Sequence, residues 1–170
     1  MHFRTIAAIV SLSLLIGCRF SSPVLIHSVA NTSEAVGFEQ YYPEGIYRSS
    51  TAPDSREFIQ VKYFRNFVSI ALFAMGEDPD NTLDSALIEA VVETEFVYKG
   101  QDIKLAISFP SKEAKTTLFN YYPILLYDKG SFALFNIIEE KNIRELDDIF
   151  EYILNNNPEI HQYDFYQAAG

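Results

Sequence analysis

The amino-acid sequence predicts a mainly β, α+β fold in which antiparallel strands follow one another as a meander. Three pairs of strand-like segments are separated by short turns or breaks. Hydrophobic residues make up 48% of the 170 residues and aromatic residues 15%, which is enough to build one buried core. We therefore expect a single β-rich domain over residues 44–170, with one short inserted helix and a C-terminal helix.

The first part of the domain predicts one strand, one hairpin and the inserted helix. Gly45–Ser50 resembles a strand, and Phe58–Phe64 with Phe67–Ala74 predicts a hairpin that turns at Arg65-Asn66. After an acidic break, four apolar residues recur at helical spacing, which predicts the inserted helix. These four residues are Leu83, Leu87, Ala90 and Val91.

Two further hairpins follow along the chain. Glu95–Lys99 is expected to pair with Ile103–Phe109, and Thr116–Tyr127 with Ser131–Ile138. Because proline has no N–H to donate to a neighbouring strand, Pro123 indicates an edge strand or a bulge. Closure of such a meander into a small barrel removes its exposed strand edges, so we expect a barrel.

The last predicted element is a helix with one apolar face. Asn142 is a suitable cap with Glu145 three residues later, and the run Asn155–Pro158 is expected to end the helix. The apolar face is formed by Ile143, Leu146, Ile149 and Ile153. The tail beyond the helix carries three aromatic residues that are expected to pack onto the domain, namely Tyr163, Phe165 and Tyr166.

The first residues of the chain have the layout of an export signal. One basic residue, Arg4, precedes the apolar stretch Thr5–Ile16, which is too short to span the ~30 Å hydrocarbon core of a bilayer. The stretch runs into Leu15-Ile16-Gly17-Cys18, which resembles the lipobox of bacterial lipoproteins. An ordinary signal peptide, in which Cys18 is incidental, is the alternative.

The lipobox resemblance implies cleavage between Gly17 and Cys18 and attachment of lipid to Cys18. Residues 1–17 would then be the signal peptide, and residues 18–43 the lipidated cysteine and a tether that lifts the domain off the membrane. The resemblance also implies that Arg19, which stands where an aspartate would retain the protein, sends it to the outer membrane of a host with two membranes.

The mature domain resembles small lipocalin-like domains. The resemblance rests on the strand Gly45–Ser50, the Phe58–Gly76 hairpin with its following helix, and Phe96–Leu105. It covers about residues 44–138, and it departs from the family at Arg65-Asn66, where Asp-Gly is usual. The resemblance implies a barrel that holds a ligand, but it carries over no functional residues.

Charge and cysteine content exclude several classes of function. The net charge is −10, and removal of residues 1–17 with Arg4 leaves 12 basic and 23 acidic side chains, or −11. Such a surface repels nucleic-acid phosphates, so we expect no nucleic-acid partner. With Cys18 as the only cysteine, the domain has no internal disulfide, thiol redox centre or zinc–thiolate site.

No catalytic or metal-binding constellation is evident, so we expect no enzyme and no cofactor. His27 and His161 have no suitable neighbours in the sequence, and Asp147-Asp148 lies on the solvent face of the predicted helix. The acidic segment Asp78–Glu89 has oxygens at calcium-loop positions, but Leu83 replaces the required glycine. We interpret that segment as a helix start.

Tyrosines near predicted turns and edges leave two interpretations open. They either form a recognition surface or fill the barrel core and its rim. These residues are Tyr41, Tyr42, Tyr121, Tyr122 and Tyr127.

The leading hypothesis is a non-catalytic envelope lipoprotein that binds a small apolar ligand in its barrel. The alternative is an immunity- or inhibitor-type lipoprotein whose acidic, Tyr-rich surface binds an envelope toxin or hydrolase. A passive envelope component is the third interpretation.

Overall fold

The computed structural model describes residues 19–26, 32–34, 39, 42–51, 57–74, 84–112, 115–127, 130–137 and 139–166. Within these residues the chain forms twelve β-strands and one α-helix, which confirms the predicted mainly β fold. The strands are β1 Phe20–Ser22, β2 Thr32–Glu34, β3 Gly45–Ser49, β4 Glu57–Tyr63, β5 Val68–Ala74, β6 Asp84–Ile88, β7 Ala90–Tyr98, β8 Gln101–Ser108, β9 Phe119–Tyr127, β10 Ser131–Phe135, β11 Lys141–Asn142 and β12 Ile160–Phe165. The helix α1 is Leu146–Asn156.

All twelve strands belong to one sheet. Its main path runs β2-β7-β8-β9-β10-β12-β3-β4-β5-β6, with antiparallel pairing between neighbours. Beside this path, β1 pairs antiparallel with β9 and parallel with β11. In the part of the chain that the structure describes, β2 and β6 end the path and do not pair with each other, so the sheet is not closed into a barrel.

The chain turns a sharp corner between β6 and β7, where only Glu89 separates the two strands. Ile88 pairs with Val68 of β5, whereas Ala90 pairs with Ile107 of β8. Glu89 fixes this change of partner, because its N–H donates to the carbonyl of Ile107 at 2.9 Å. The sheet therefore bends back on itself without a ladder between β6 and β7.

The structure contradicts the predicted inserted helix in the part of this region that it describes. Leu87, Ala90 and Val91 lie in strands, and Leu83 lies outside the described residues. Ala90 and Val91 point to opposite faces of β7 and join different apolar clusters. Leu87 is exposed, and the other two described residues fill opposite faces of one strand, so the helical spacing does not correspond to one buried face.

The bent sheet buries apolar residues on both of its faces. The inner face, enclosed by β3–β6 and β7–β10, is filled mainly by Tyr47, Ile59, Leu72, Ile88, Tyr122 and Phe132. The outer face is covered by β1 and α1 and contains Phe20, Ile103, Leu105, Tyr121, Ile149 and Ile153. Strands β7, β8, β9 and β10 contribute alternate residues to both clusters, as sheets covered on two sides do.

The three predicted hairpins are confirmed, with shifted bounds. Tyr63 pairs with Val68 at the end of β4–β5, and Ser131 pairs with Tyr127 in β9–β10. The β7–β8 hairpin is longer than expected and turns at Lys99-Gly100, both with positive φ (50° and 82°). That conformation matches the right-handed twist of paired strands.

Pro123 does not mark an edge strand, because β9 has partners on both sides. It pairs with Leu105 of β8 on one side. On the other side, β10 pairing ends at Ile124 and β1 pairing begins at Tyr121. Proline therefore falls where the ladder changes from one partner to the next, and no backbone donor is needed there.

The C-terminal helix is confirmed, but its cap differs from the expected Asn142. The carboxylate of Asp148 accepts the N–H groups of Arg144 and Glu145 at 2.7 and 3.2 Å, one turn later than predicted. Asn157 ends the helix in a left-handed conformation, φ 42°. No helix among the described residues is long and apolar enough to cross a membrane.

The aromatic tail forms β12, which inserts between β10 and β3. The ring of Phe165 packs so closely on Gly45 that a Cβ there would lie 2.6 Å from its Cε2 atom. Tyr47 packs on the same ring with centroids 5.3 Å apart. The tail is therefore a structural strand of the domain.

The prediction that residues 18–43 form a tether is wrong for the segments that the structure describes as strands. Phe20, Ser21 and Ser22 are buried in β1, and Thr32–Glu34 pairs with β7. The sheet thus begins two residues after Cys18.

Candidate functional site

A partly enclosed apolar cleft of about 50 Å³ opens in the inner face of the sheet. It lies beneath the β4–β5 hairpin, since the last paired residues of that hairpin, Tyr63 and Val68, both line it. Its full lining is Tyr42, Val61, Tyr63, Val68, Ile70, Ile88, Val91, Ala106, Ile124, Leu126 and Phe132. We call this feature the apolar cleft.

The side chains of that lining carry two hydroxyl groups, and both donate hydrogen bonds to backbone carbonyls. The Tyr63 hydroxyl donates to the carbonyl of Tyr42 at 2.9 Å, and the Tyr42 hydroxyl donates to the carbonyl of Tyr127 at 2.9 Å. Burial raises the pKa of Tyr63, and the neighbouring Tyr47 and Glu39 add to the effect. Tyr63 therefore stays a protonated donor, and the cleft presents ring faces and aliphatic groups.

Aromatic rings pack against Phe132, which lines the cleft. Phe132 lies 5.2 Å from Tyr47 and 5.7 Å from Tyr163, measured between ring centroids. Burial raises the pKa of Tyr47 to about 12, and its hydroxyl donates to the carbonyl of Pro43 at 2.9 Å. These contacts hold Phe132 in place, so the cleft is a preformed feature of the fold.

An exposed aromatic pair lies beside the cleft at the tip of the β4–β5 hairpin. Phe64 and Phe67 stack with ring centroids 4.7 Å apart, and Phe64 is 46% exposed. They directly follow and precede the lining residues Tyr63 and Val68. The hairpin tip beside the cleft therefore presents this aromatic pair next to the exposed Arg65 and Asn66.

Comparisons of the chain with protein-family models, with curated proteins and with solved structures found no match.

Of the two interpretations of the tyrosines, filling of the core and its rim fits the members that the structure describes. Tyr42, Tyr121 and Tyr122 are buried, and Tyr127 is half-buried. Tyr41 lies outside the described residues. Of the four that the structure describes, Tyr42 alone lines the apolar cleft.

The other candidate residues do not converge on a site. His161 lies in β12 with its Nε2 atom 3.7 Å from Glu159, and Asp147-Asp148 lies in the first turn of α1. Among the described residues, no group of three His, Cys, Asp or Glu side chains could hold a metal ion. Gly17, Cys18, His27 and Asp78 lie outside the described residues.

A polar network fixes β1 to the outer face of the sheet. The buried Ser21 hydroxyl donates to Glu140 Oε1 at 2.6 Å and lies 3.0 Å from Asn120 Oδ1. Arg19 forms an ion pair with Glu140 Oε2 at 3.0 Å. The Ser21 hydroxyl and, more weakly, Arg19 lower the pKa of Glu140 against the opposing effect of burial.

This network predicts a pH dependence of stability. Because the pKa of Glu140 lies below its ordinary value of 4.5, its stabilising contribution is present above that pH and is lost as the pH falls further. The difference in unfolding free energy between wild type and Glu140→Gln should therefore shrink between neutral and strongly acidic pH. Urea unfolding of both proteins at several pH values measures it, and a constant difference would contradict the network.

Proposed function

We propose that the protein is a membrane-anchored envelope lipoprotein whose non-catalytic domain binds a small apolar ligand in the apolar cleft. The observation that carries the binding role is the cleft itself, with its aliphatic and ring lining and engaged hydroxyl groups. Ligand sites are characteristically concave, largely apolar and preformed, and the cleft shares these features at a smaller volume than most.

The anchor part of the proposal rests on the lipobox. Two or three acyl chains on Cys18 would hold the protein durably on a membrane, because each buried methylene contributes about 0.8 kcal/mol. With Arg19 next to Cys18, we place it on the outer membrane of a host with two membranes.

Replacement of Cys18 tests the anchor. Cys18→Ser should carry no acyl chains and should keep residues 1–17, because Cys18 is the only cysteine of the chain and also defines the lipobox cleavage site. Labelling with a fatty acid and intact-mass spectrometry measure both effects, with a substitution of the exposed Val24, Val24→Ala, as a matched control near the same terminus. A Cys18→Ser protein that still takes up the fatty acid, or is cut at the same place as wild type, would contradict lipid attachment at Cys18.

The volume of the cleft indicates the shape of its ligand. A cavity of about 150 Å³ binds benzene, so a cleft of about 50 Å³ fits a thin alkyl segment better than a ring. The ligand class we propose is therefore a compound with an unbranched alkyl or acyl tail. A neutral head group suits the net charge of −11 that remains after residues 1–17 are removed.

A series of neutral 1-alcohols tests this class directly. Affinity should rise about fourfold for each added methylene, corresponding to about 0.8 kcal/mol, until the cleft is full, and then level off. Calorimetric titration of the purified protein measures the series. Affinities that do not depend on chain length, or the absence of saturable binding, would count against the apolar cleft as the site.

A further inference from the structure

Building on the proposed lipidation of Cys18, we infer that the anchor is fixed to the fold rather than tethered. The surface formed by β1, β11 and the first turn of α1 then lies directly on the lipid bilayer. We call it the membrane-proximal surface.

Backbone pairing holds β1 on two sides. Phe20 pairs with Tyr121 of β9 and with Lys141 of β11. The N–H of Ile143 donates to the carbonyl of Ser21 at 2.8 Å, and the N–H of Lys141 to that of Arg19 at 3.4 Å. Residues 19–22 are therefore hydrogen-bonded into the sheet.

Buried side chains hold the same segment in addition to the backbone pairing. Phe20 is completely buried, and its ring meets that of Tyr152 edge-on with centroids 5.5 Å apart. Ser21 is also completely buried and bonded to Glu140. Release of β1 would expose a large apolar ring and break a partly buried hydrogen bond, so the bound arrangement is the stable one.

Covalent geometry then limits how far the lipid can be from the domain. Consecutive Cα atoms are about 3.8 Å apart, so the chain geometry puts the Cα atom of Cys18 about that far from the Cα atom of Arg19. The acyl chains on that cysteine insert into the bilayer. The domain surface next to Arg19 must therefore lie at the level of the lipid head groups.

The residues around Arg19 suit a head-group contact. Because β11 runs parallel to β1, the residues just before β11, Glu139 and Glu140, lie beside the start of β1. Lys141 pairs with Glu139 at 2.8 Å, and an open depression of about 380 Å³ next to them includes Arg144 in its lining. Charges of both signs lie at this surface, which suits a position among polar head groups, since insertion of these charges into hydrocarbon would be costly.

A fixed anchor has a consequence for ligand transfer. The apolar cleft lies on the inner face of the sheet, whereas Phe20 lies on the outer face. Anchoring at Arg19 would hold the cleft at a constant height and orientation above the bilayer. A tether of residues 18–43 would instead let it sample many orientations.

An insertion between Cys18 and Arg19 tests the inference. Since the native cysteine would be acylated, Glu139→Cys supplies the single free thiol for a fluorophore. The lipidated protein is reconstituted in phosphatidylcholine–phosphatidylglycerol vesicles whose head groups carry a nitroxide quencher. A 12-residue Gly/Ser insertion has an r.m.s. length of about 20 Å, and we expect it to reduce quenching at least twofold.

The same Gly/Ser segment inserted after the exposed Lys112 is the matched control and should leave quenching unchanged. Equal quenching with and without the insertion at Cys18 would overturn the fixed anchor. Slow hydrogen exchange of residues 20–22 in all three proteins verifies that β1 remains paired. Failure of the proposed lipidation is distinguishable, because the protein would lack acyl mass and would not sediment with the vesicles.

Discussion

Phe20→Ala is expected to destabilise the domain by about 3–5 kcal/mol, the cost of removing a large aromatic side chain from a packed core. Phe20 is completely buried against Tyr152 and the outer-face cluster. Its loss leaves a cavity and weakens the pairing of β1. Urea unfolding of the non-lipidated mature chain, followed by far-UV circular dichroism, measures the change.

Val24→Ala is the matched control here too, because Val24 lies in the same terminal segment and is 59% exposed. Its effect should stay within about 0.5 kcal/mol of wild type. If both variants were equally stable, β1 would not be part of the folded domain, and residues 18–43 would act as the tether that the sequence predicts.

Ala106→Leu is expected to weaken the binding of alkyl ligands strongly. Ala106 is 2% exposed and lines the apolar cleft, so a larger side chain there occupies the space that the ligand would take. We expect affinity for the best-binding 1-alcohol to fall at least tenfold, or about 1.4 kcal/mol. Overpacking costs about 1–3 kcal/mol of stability, so unfolding measurements must verify that the variant is folded.

Leu126→Ala is the matched variant of opposite sign, because it enlarges the same cleft. The chain length at which alcohol affinity levels off should increase in this variant. A folded Ala106→Leu protein that binds alcohols as wild type does would exclude the cleft as the ligand site, whatever the behaviour of Leu126→Ala.

The hairpins could be predicted from the sequence because their signals are local. Lys99-Gly100 adopts the turn conformation that glycine favours, and strand-like residues flank it on both sides. The corner at Glu89 could not be predicted, since it depends on a change of partner from Val68 to Ile107. Local periodicity does not reveal which strand lies alongside.

The role of β1 could not be predicted from the sequence either. Two serines in a three-residue strand carry no core signal, and Ser21 is satisfied by Asn120 and Glu140, which lie about a hundred residues away. The apolar cleft is equally non-local, because its lining comes from seven strands and from Tyr42. Only the general expectation of an apolar ligand could be drawn from the resemblance.

Native mass spectrometry of the protein purified gently from its own envelope tests the central claim most directly. We predict a mature chain that begins at Cys18, carries acyl chains, and retains a further adduct of a few hundred daltons. An unmodified Cys18 would contradict the lipid anchor. A stoichiometric protein partner of many kilodaltons in place of the small adduct would contradict the ligand-binding role and favour the inhibitor alternative.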